Sequence, residues 1–96
     1  MSTDCELLEM AAKAAGYDAE WLEAPYGNCL VIGNIVWLPL EDDGDALRLA
    51  VKLALLNDLQ TLIELYIEEA DYFADPYSAT RRAIVRAAAE IGKAMS

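Results

Sequence analysis

From Glu20 to Leu40 the chain reads EWLEA, PYGN, CLVI, GN and IVWLPL, short runs of β-branched and aromatic residues cut by glycine-containing turn signals. Such texture suits strands joined by tight turns and argues against an all-helical fold. Three short strands are expected. Gly33-Asn34 sits between the apolar runs 29–32 and 35–38 and has the form of a two-residue hairpin loop, because glycine accepts the positive φ that primed turns demand and asparagine tolerates it. Pro39 lacks the N–H that a continuing ladder would use, so the last strand ends before it.

Helical patterns flank this stretch. Thr3 and Glu6 have the spacing of a reciprocal capping box, and Leu7, Leu8, Ala11, Ala14 and Ala15 recur at helical intervals until Gly16, a natural left-handed end. This predicts a first helix over 4–15. Asp75-Pro76 opens the last helix, with aspartate as cap and proline at the first helical position, and Ile84, Ala87, Ala88, Ile91 and Met95 form its expected apolar face. Its small alanines suit a close approach to a neighbouring helix.

Glu41, Asp42, Asp43 and Asp45 crowd around Gly44 just before another helical pattern. An EF-hand loop with Gly44 at its sixth position would place Pro39 first and Ala50 twelfth, where acids are required, so that calcium site is excluded. As a helix start the residues make sense: Asp42 or Asp43 caps, and Asp45 meets the positive end of the helix dipole. The expected helix runs over 43–56 and buries Leu47, Ala50, Val51, Ala54 and Leu55, with Arg48 and Lys52 on the opposite face. Capping accounts for two of the four carboxylates.

Residues 57–73 fit two periods. Leu59, Leu62, Ile63, Tyr66, Ile67 and Ala70 match a helical stripe, while Thr61, Ile63, Leu65 and Ile67 also line one face of a strand.

The charge restricts function more than any motif does. Seventeen acidic residues against seven basic ones give a net −10, and a molecule so negative repels duplex nucleic acid. Residues 1–75 carry a net −13 and residues 76–96 a net +3, so most of the positive charge is at one end. No apolar run reaches the roughly 18 to 20 residues of a membrane span, and the acidic start MSTDCELLEM is unlike a signal peptide, so a cytoplasmic location is expected. Cys5 and Cys29 lack CxxC spacing and are expected as free thiols.

The chain contains no histidine, which removes Ser-His and Cys-His nucleophile pairs and histidine-ligated zinc. A carboxylate pair working alone needs two acids held across a cleft, and chance pairs abound in so acidic a chain. We therefore expect no enzyme, no cofactor and no metal site beyond weak surface Mg²⁺. Arg81, Arg82 and Arg86 have three readings: internal pairing with carboxylates, which accounts for two like charges one turn apart, contact with a partner, or local phosphate binding. Glu41, Asp42, Asp43 and Asp45, with Glu64, Glu68, Glu69, Asp71 and Asp75, form either a solvated face or a recognition surface that complements a basic groove. Tyr66, Tyr72, Phe73 and Tyr77 are of the type enriched in such surfaces.

Two segments, WLPLEDDGDALRLAVKL at 37–53 and DPYSATRRAIVRAAAEIG at 75–92, together with LLEMAAKAAG near the N-terminus, resemble small proteins of unknown function encoded by tailed bacteriophages and prophages. The resemblance covers about half the chain and transfers no catalytic residue. It implies a phage origin, a bacterial host cytoplasm, and strand structure over 60–68. Small acidic phage proteins of this kind are often inhibitors that occupy a host protein.

The resulting expectation is a single α+β domain, a small antiparallel sheet packed against a single layer of about three helices, 4–15, 43–56 and 76–94. Its expected function is non-enzymatic binding of a host protein, one with a basic groove such as a CRISPR or related defence component, through Glu41, Asp42, Asp43, Asp45, Glu64, Glu68 and Glu69. The alternative is a small structural or regulatory phage module that forms a homodimer, with Arg81, Arg82 and Arg86 of one copy meeting carboxylates of another.

Overall fold

The structure is a computed structural model that describes residues 4–24, 27–33, 35–70 and 75–95. Its elements run α1 (Asp4–Ala15), β1 (Ala19–Ala24), β2 (Gly27–Ile32), β3 (Ile35–Trp37), α2 (Asp43–Lys52), a 3-10 turn (Leu55–Asn57), α3 (Leu59–Ala70) and α4 (Pro76–Ala94). The fold is α+β, a three-stranded antiparallel meander with helices before and after it.

Cross-strand register explains which sheet face is buried. Trp21 pairs with Leu30 and Leu30 with Trp37, so all three point to one side. Leu30 and Trp37 join the core. Trp21 lies at its margin and donates its indole N–H to Glu9 Oε1 of α1 at 2.6 Å. Tyr17, just after α1, meets the Trp37 ring edge-on at 5.6 Å between centroids, and Lys52 Nζ of α2 caps the Tyr17 ring at 5.1 Å. The opposite face carries Leu22 and Val36, both exposed. Ile32 pairs with Ile35, the register of a two-residue loop, and Gly33 has the positive φ of +64° that such a loop requires. Asn34, the other half of that loop, lies outside the described residues, as do Thr3, Asp71, Tyr72 and Phe73.

The helix α4 is central and packs against α1, α2 and α3. Its buried arc is correspondingly wide: Ala79, Ala83, Val85, Ala89 and Gly92 are buried along with the expected Ile84, Ala87 and Ala88. Three neighbours cover faces that one would leave open, which accounts for the added buried residues; Ile91 and Met95, expected on the apolar face, are exposed. Ala11, Ala12 and Ala15 of α1 supply the small side chains that face this helix-rich core.

The Asp75 carboxylate caps α4 as expected, accepting from the Tyr77 backbone N–H at 3.1 Å and from the Ser78 hydroxyl at 2.8 Å. The Ser78 hydrogen bond, followed by that from Tyr77, holds the Asp75 carboxyl below its ordinary value of 3.8. A folded-state pKa below the unfolded one contributes stability that is present above the unfolded value and lost as pH falls through the folded one. The stability gap between wild type and Asp75→Asn should therefore be open at neutral pH and shrink as pH drops below 3.8, a result readable from thermal melts at paired pH values.

The second and third helices depart from expectation. The α2 helix stops at Lys52 because Ala54 takes a left-handed φ of 55°, so Leu55 reaches the core from the 3-10 turn instead. Its buried residues are Ala46, Leu49 and Ala50; Leu47, Val51 and Ala54, expected inside, are exposed, since the helix is rotated about its axis to turn the Ala46, Leu49 and Ala50 face inward. Residues 59–70 are helical, not the strand that the resemblance implies. Asp58 Oδ1 accepts from the Thr61 N–H at 3.4 Å at the start of that helix, and Leu62 and Leu65, one turn apart, pack against the core. No helix among the described residues is long and apolar enough to cross a membrane.

Candidate protein-interaction surface

Three of the four carboxylates around Gly44 have individual structural tasks. Asp42 is the α2 N-cap, its Oδ2 accepting from the Asp45 backbone N–H at 2.8 Å. Asp45 faces two ways: Oδ2 accepts from the Leu38 N–H at 3.0 Å, tying the end of the sheet to α2, and Oδ1 accepts from Arg48 Nη2 at 2.6 Å. That hydrogen bond is the main cause of a raised Arg48 pKa. Asp43 Oδ1 accepts from Arg81 Nη1 at 2.6 Å, while Arg81 Nε donates to the Leu40 carbonyl at 2.9 Å, so one arginine pins both the loop and the α2 start to α4. Glu41 is exposed. The cluster is thus largely engaged in capping and in joining α2 to its neighbours.

The other two arginines are also engaged within the chain. Arg82 Nη2 donates to Asp4 Oδ1 at 2.6 Å and Arg82 Nε lies 3.3 Å from Glu69 Oε2. Arg86 Nη1 donates to Glu69 Oε1 at 3.0 Å and stands 3.7 Å from Glu68 Oε2. Glu69, 8% exposed, is buried between the two guanidinium groups, and this chain of charges links α1, α4 and α3. The Arg82 pKa is raised, chiefly by its hydrogen bond to Asp4. Charge repulsion between Arg82 and Arg86, one turn apart, is offset by the carboxylate placed between them.

A different surface is left open. On a helix with about 100° per residue, the apolar side chains of α3 cover roughly 200° of its circumference, far more than one neighbour can bury. Leu62, Leu65 and Tyr66 are half-buried on the core side. Leu59, Ile63 and Ile67 form an outward row and are 56%, 55% and 58% exposed. Gln60, Glu64 and Glu68 run along one edge of that row, each exposed. Glu64 Oε1 accepts from Gln60 Nε2 at 3.5 Å. The sequence contains the signal, apolar residues at both core and outward positions of one helical period, but the same residues also fit a strand.

The arrangement offers recognition chemistry. Among the described residues no three carboxylates or thiols come together in a way that would hold a metal ion. Cys5 is an exposed free thiol, and the Cys29 side chain lies outside the described residues. Compared with protein-family models, with curated proteins and with solved structures, the chain finds no match.

Proposed function

We propose that the chain is a non-enzymatic binding protein that occupies a surface of another protein, with the outward face of α3 as the contact. The supporting observation is the row of Leu59, Ile63 and Ile67, each more than half exposed, beside the acidic edge of Glu64 and Glu68. Apolar side chains of this size gathered on one helix face are uncommon on monomers that bind nothing, and single scattered ones are the norm. Of the acids first expected at an interface, Glu64 and Glu68 border this face, whereas Asp42, Asp43, Asp45 and Glu69 are bonded within the fold.

In its finer form, supported by the resemblance at 37–53 and 75–92 and by the net charge of −10, the protein is a phage accessory protein. Its partner is then a host protein with a basic groove, and inhibition of a CRISPR or other defence component is the expected consequence. The test is retention from a bacterial lysate on immobilised full-length chain, compared with the Ile63→Asp variant and followed by mass spectrometry. A protein held by wild type, lost on the variant and eluted by raising salt well above about 0.15 M is the expected result, because screening weakens an exposed charged rim. Identical retention by both proteins counts against the α3 face.

A further inference from the structure

We infer that the α3 face takes one kind of occupant, a basic amphipathic helix of the partner. This inference rests on the proposed binding role and names the chemistry of its partner. The open row follows a four-residue interval, Leu59, Ile63 and Ile67, which is the ridge that a second helix receives in the groove between its own side chains. The row has unequal borders. On one side stand the half-buried Leu62 and Tyr66, with Leu62 packed against the core, so that edge is apolar and turned toward the protein itself. On the other side Gln60, Glu64 and Glu68 stand in solvent, with the Glu68 side chain 62% exposed and 3.7 Å from Arg86. A helix lying along the row therefore meets apolar atoms beneath it and carboxylates along one flank. Its matching sequence carries Leu, Ile or Met at helical spacing, with Lys or Arg on the flank that faces Glu64 and Glu68.

Charge complementarity separates this occupant from a second copy of the chain. In an antiparallel two-fold pair of α3 helices, like edges face each other, so Glu64 and Glu68 of one copy oppose the same residues of the other. Each copy also carries a net −10. The three arginines of α4, the cations such a pair would draw on, are engaged: Arg81 with Asp43, Arg82 with Asp4 and Glu69, and Arg86 with Glu69. A basic helix encounters neither penalty and is drawn to the acidic molecule from a distance.

The experiment uses the full chain and three synthetic eighteen-residue peptides followed by fluorescence anisotropy. The first has an apolar stripe at helical spacing with lysine flanks, the second replaces its lysines by glutamates, and the third keeps the lysine peptide's composition in scrambled order. The lysine peptide is expected to bind, with the other two weaker by about tenfold or more, equivalent to about 1.4 kcal/mol. Ile63→Asp is expected to weaken the lysine peptide by a similar factor without loss of helical circular dichroism, and Glu64→Lys with Glu68→Lys to reverse the preference toward the glutamate peptide. Equal binding of the ordered and scrambled lysine peptides reduces the attraction to bulk charge and overturns the inference. So does a dimer in sedimentation equilibrium that Ile63→Asp splits, since the face is then occupied by a second copy. If lysate retention depends on Ile63 but the peptides do not discriminate, the binding role stands and the basic-helix partner falls; if neither depends on Ile63, both fall.

Discussion

Replacing Gly92 by alanine should destabilise the protein by roughly 2 to 3 kcal/mol, at the upper end of the range for overpacked cores, although alanine is the better helix former by up to about 1 kcal/mol. A Cβ built at Gly92 would lie 2.0 Å from the Met10 carbonyl oxygen and 2.7 Å from its carbonyl carbon. Both atoms belong to the α1 backbone, so no rotamer change makes room; one helix must move relative to the other. That movement would disturb the packing of Ala11, Ala12 and Ala15 of α1 in the core they share with Ala88 and Ala89 of α4. In a domain of this size the loss corresponds to a fall of about 10 to 20 °C in melting temperature. Gly44→Ala makes the informative contrast. The added Cβ there meets Asp42 Oδ2 at 3.1 Å and the Arg48 guanidinium at 3.3 Å, ends of side chains that can shift, and its stability should stay within about 1 kcal/mol of wild type. Equal losses for the two variants, measured by urea unfolding, would show that the close helix contact does not carry the difference.

How far the fold is legible depends on whether a segment's instructions are local. Asp75-Pro76 defines the α4 start through its own hydrogen bonds, and Gly16 ends α1 with a φ of +74°, so both helices are predicted to the residue. The β2–β3 hairpin is likewise encoded by Gly33 and the residues beside it. The end of α2 is different: Ala54 adopts a left-handed φ that nothing in its own identity favours, a conformation imposed by the need to return Leu55 to the core. The rotation of α2 and the wide buried arc of α4 depend on how many neighbours each helix has, information that is absent from a single period. In α3, alternation and helical recurrence coincide at Ile63 and Ile67, and only packing decides between them. The candidate surface was partly readable for the same reason. Two like-charged arginines one turn apart demand compensation, but that Arg82 finds it in Asp4, at the far end of the chain, is a tertiary fact.

Glu69→Leu should cost about 2 to 4 kcal/mol, because removing one member of a buried charge network leaves the others without compensation. The figure sits below that for a fully buried pair, since the Arg82 and Arg86 side chains remain 22% and 30% exposed. After the substitution Arg82 retains Asp4 at 2.6 Å and Arg86 retains only the looser contact with Glu68 at 3.7 Å, so Arg86 is the residue left most exposed to the loss. Changing Arg86 to methionine as well removes the uncompensated charge while keeping an unbranched apolar side chain at that position. The double variant should therefore recover at least half of the lost stability, and a double-mutant cycle in urea measures the coupling directly. An additive result would mean that Glu69 and Arg86 act independently and that α3 is joined to α4 by the Glu69–Arg82 pair and apolar packing instead. A strongly coupled result means that α3 is held by a carboxylate from its inner side, which leaves its outer row of Leu59, Ile63 and Ile67 free of any structural duty within the described fold. Stability and partner binding then separate by face: Glu69 variants lower the melting temperature, whereas Ile63→Asp lowers affinity and leaves unfolding nearly unchanged.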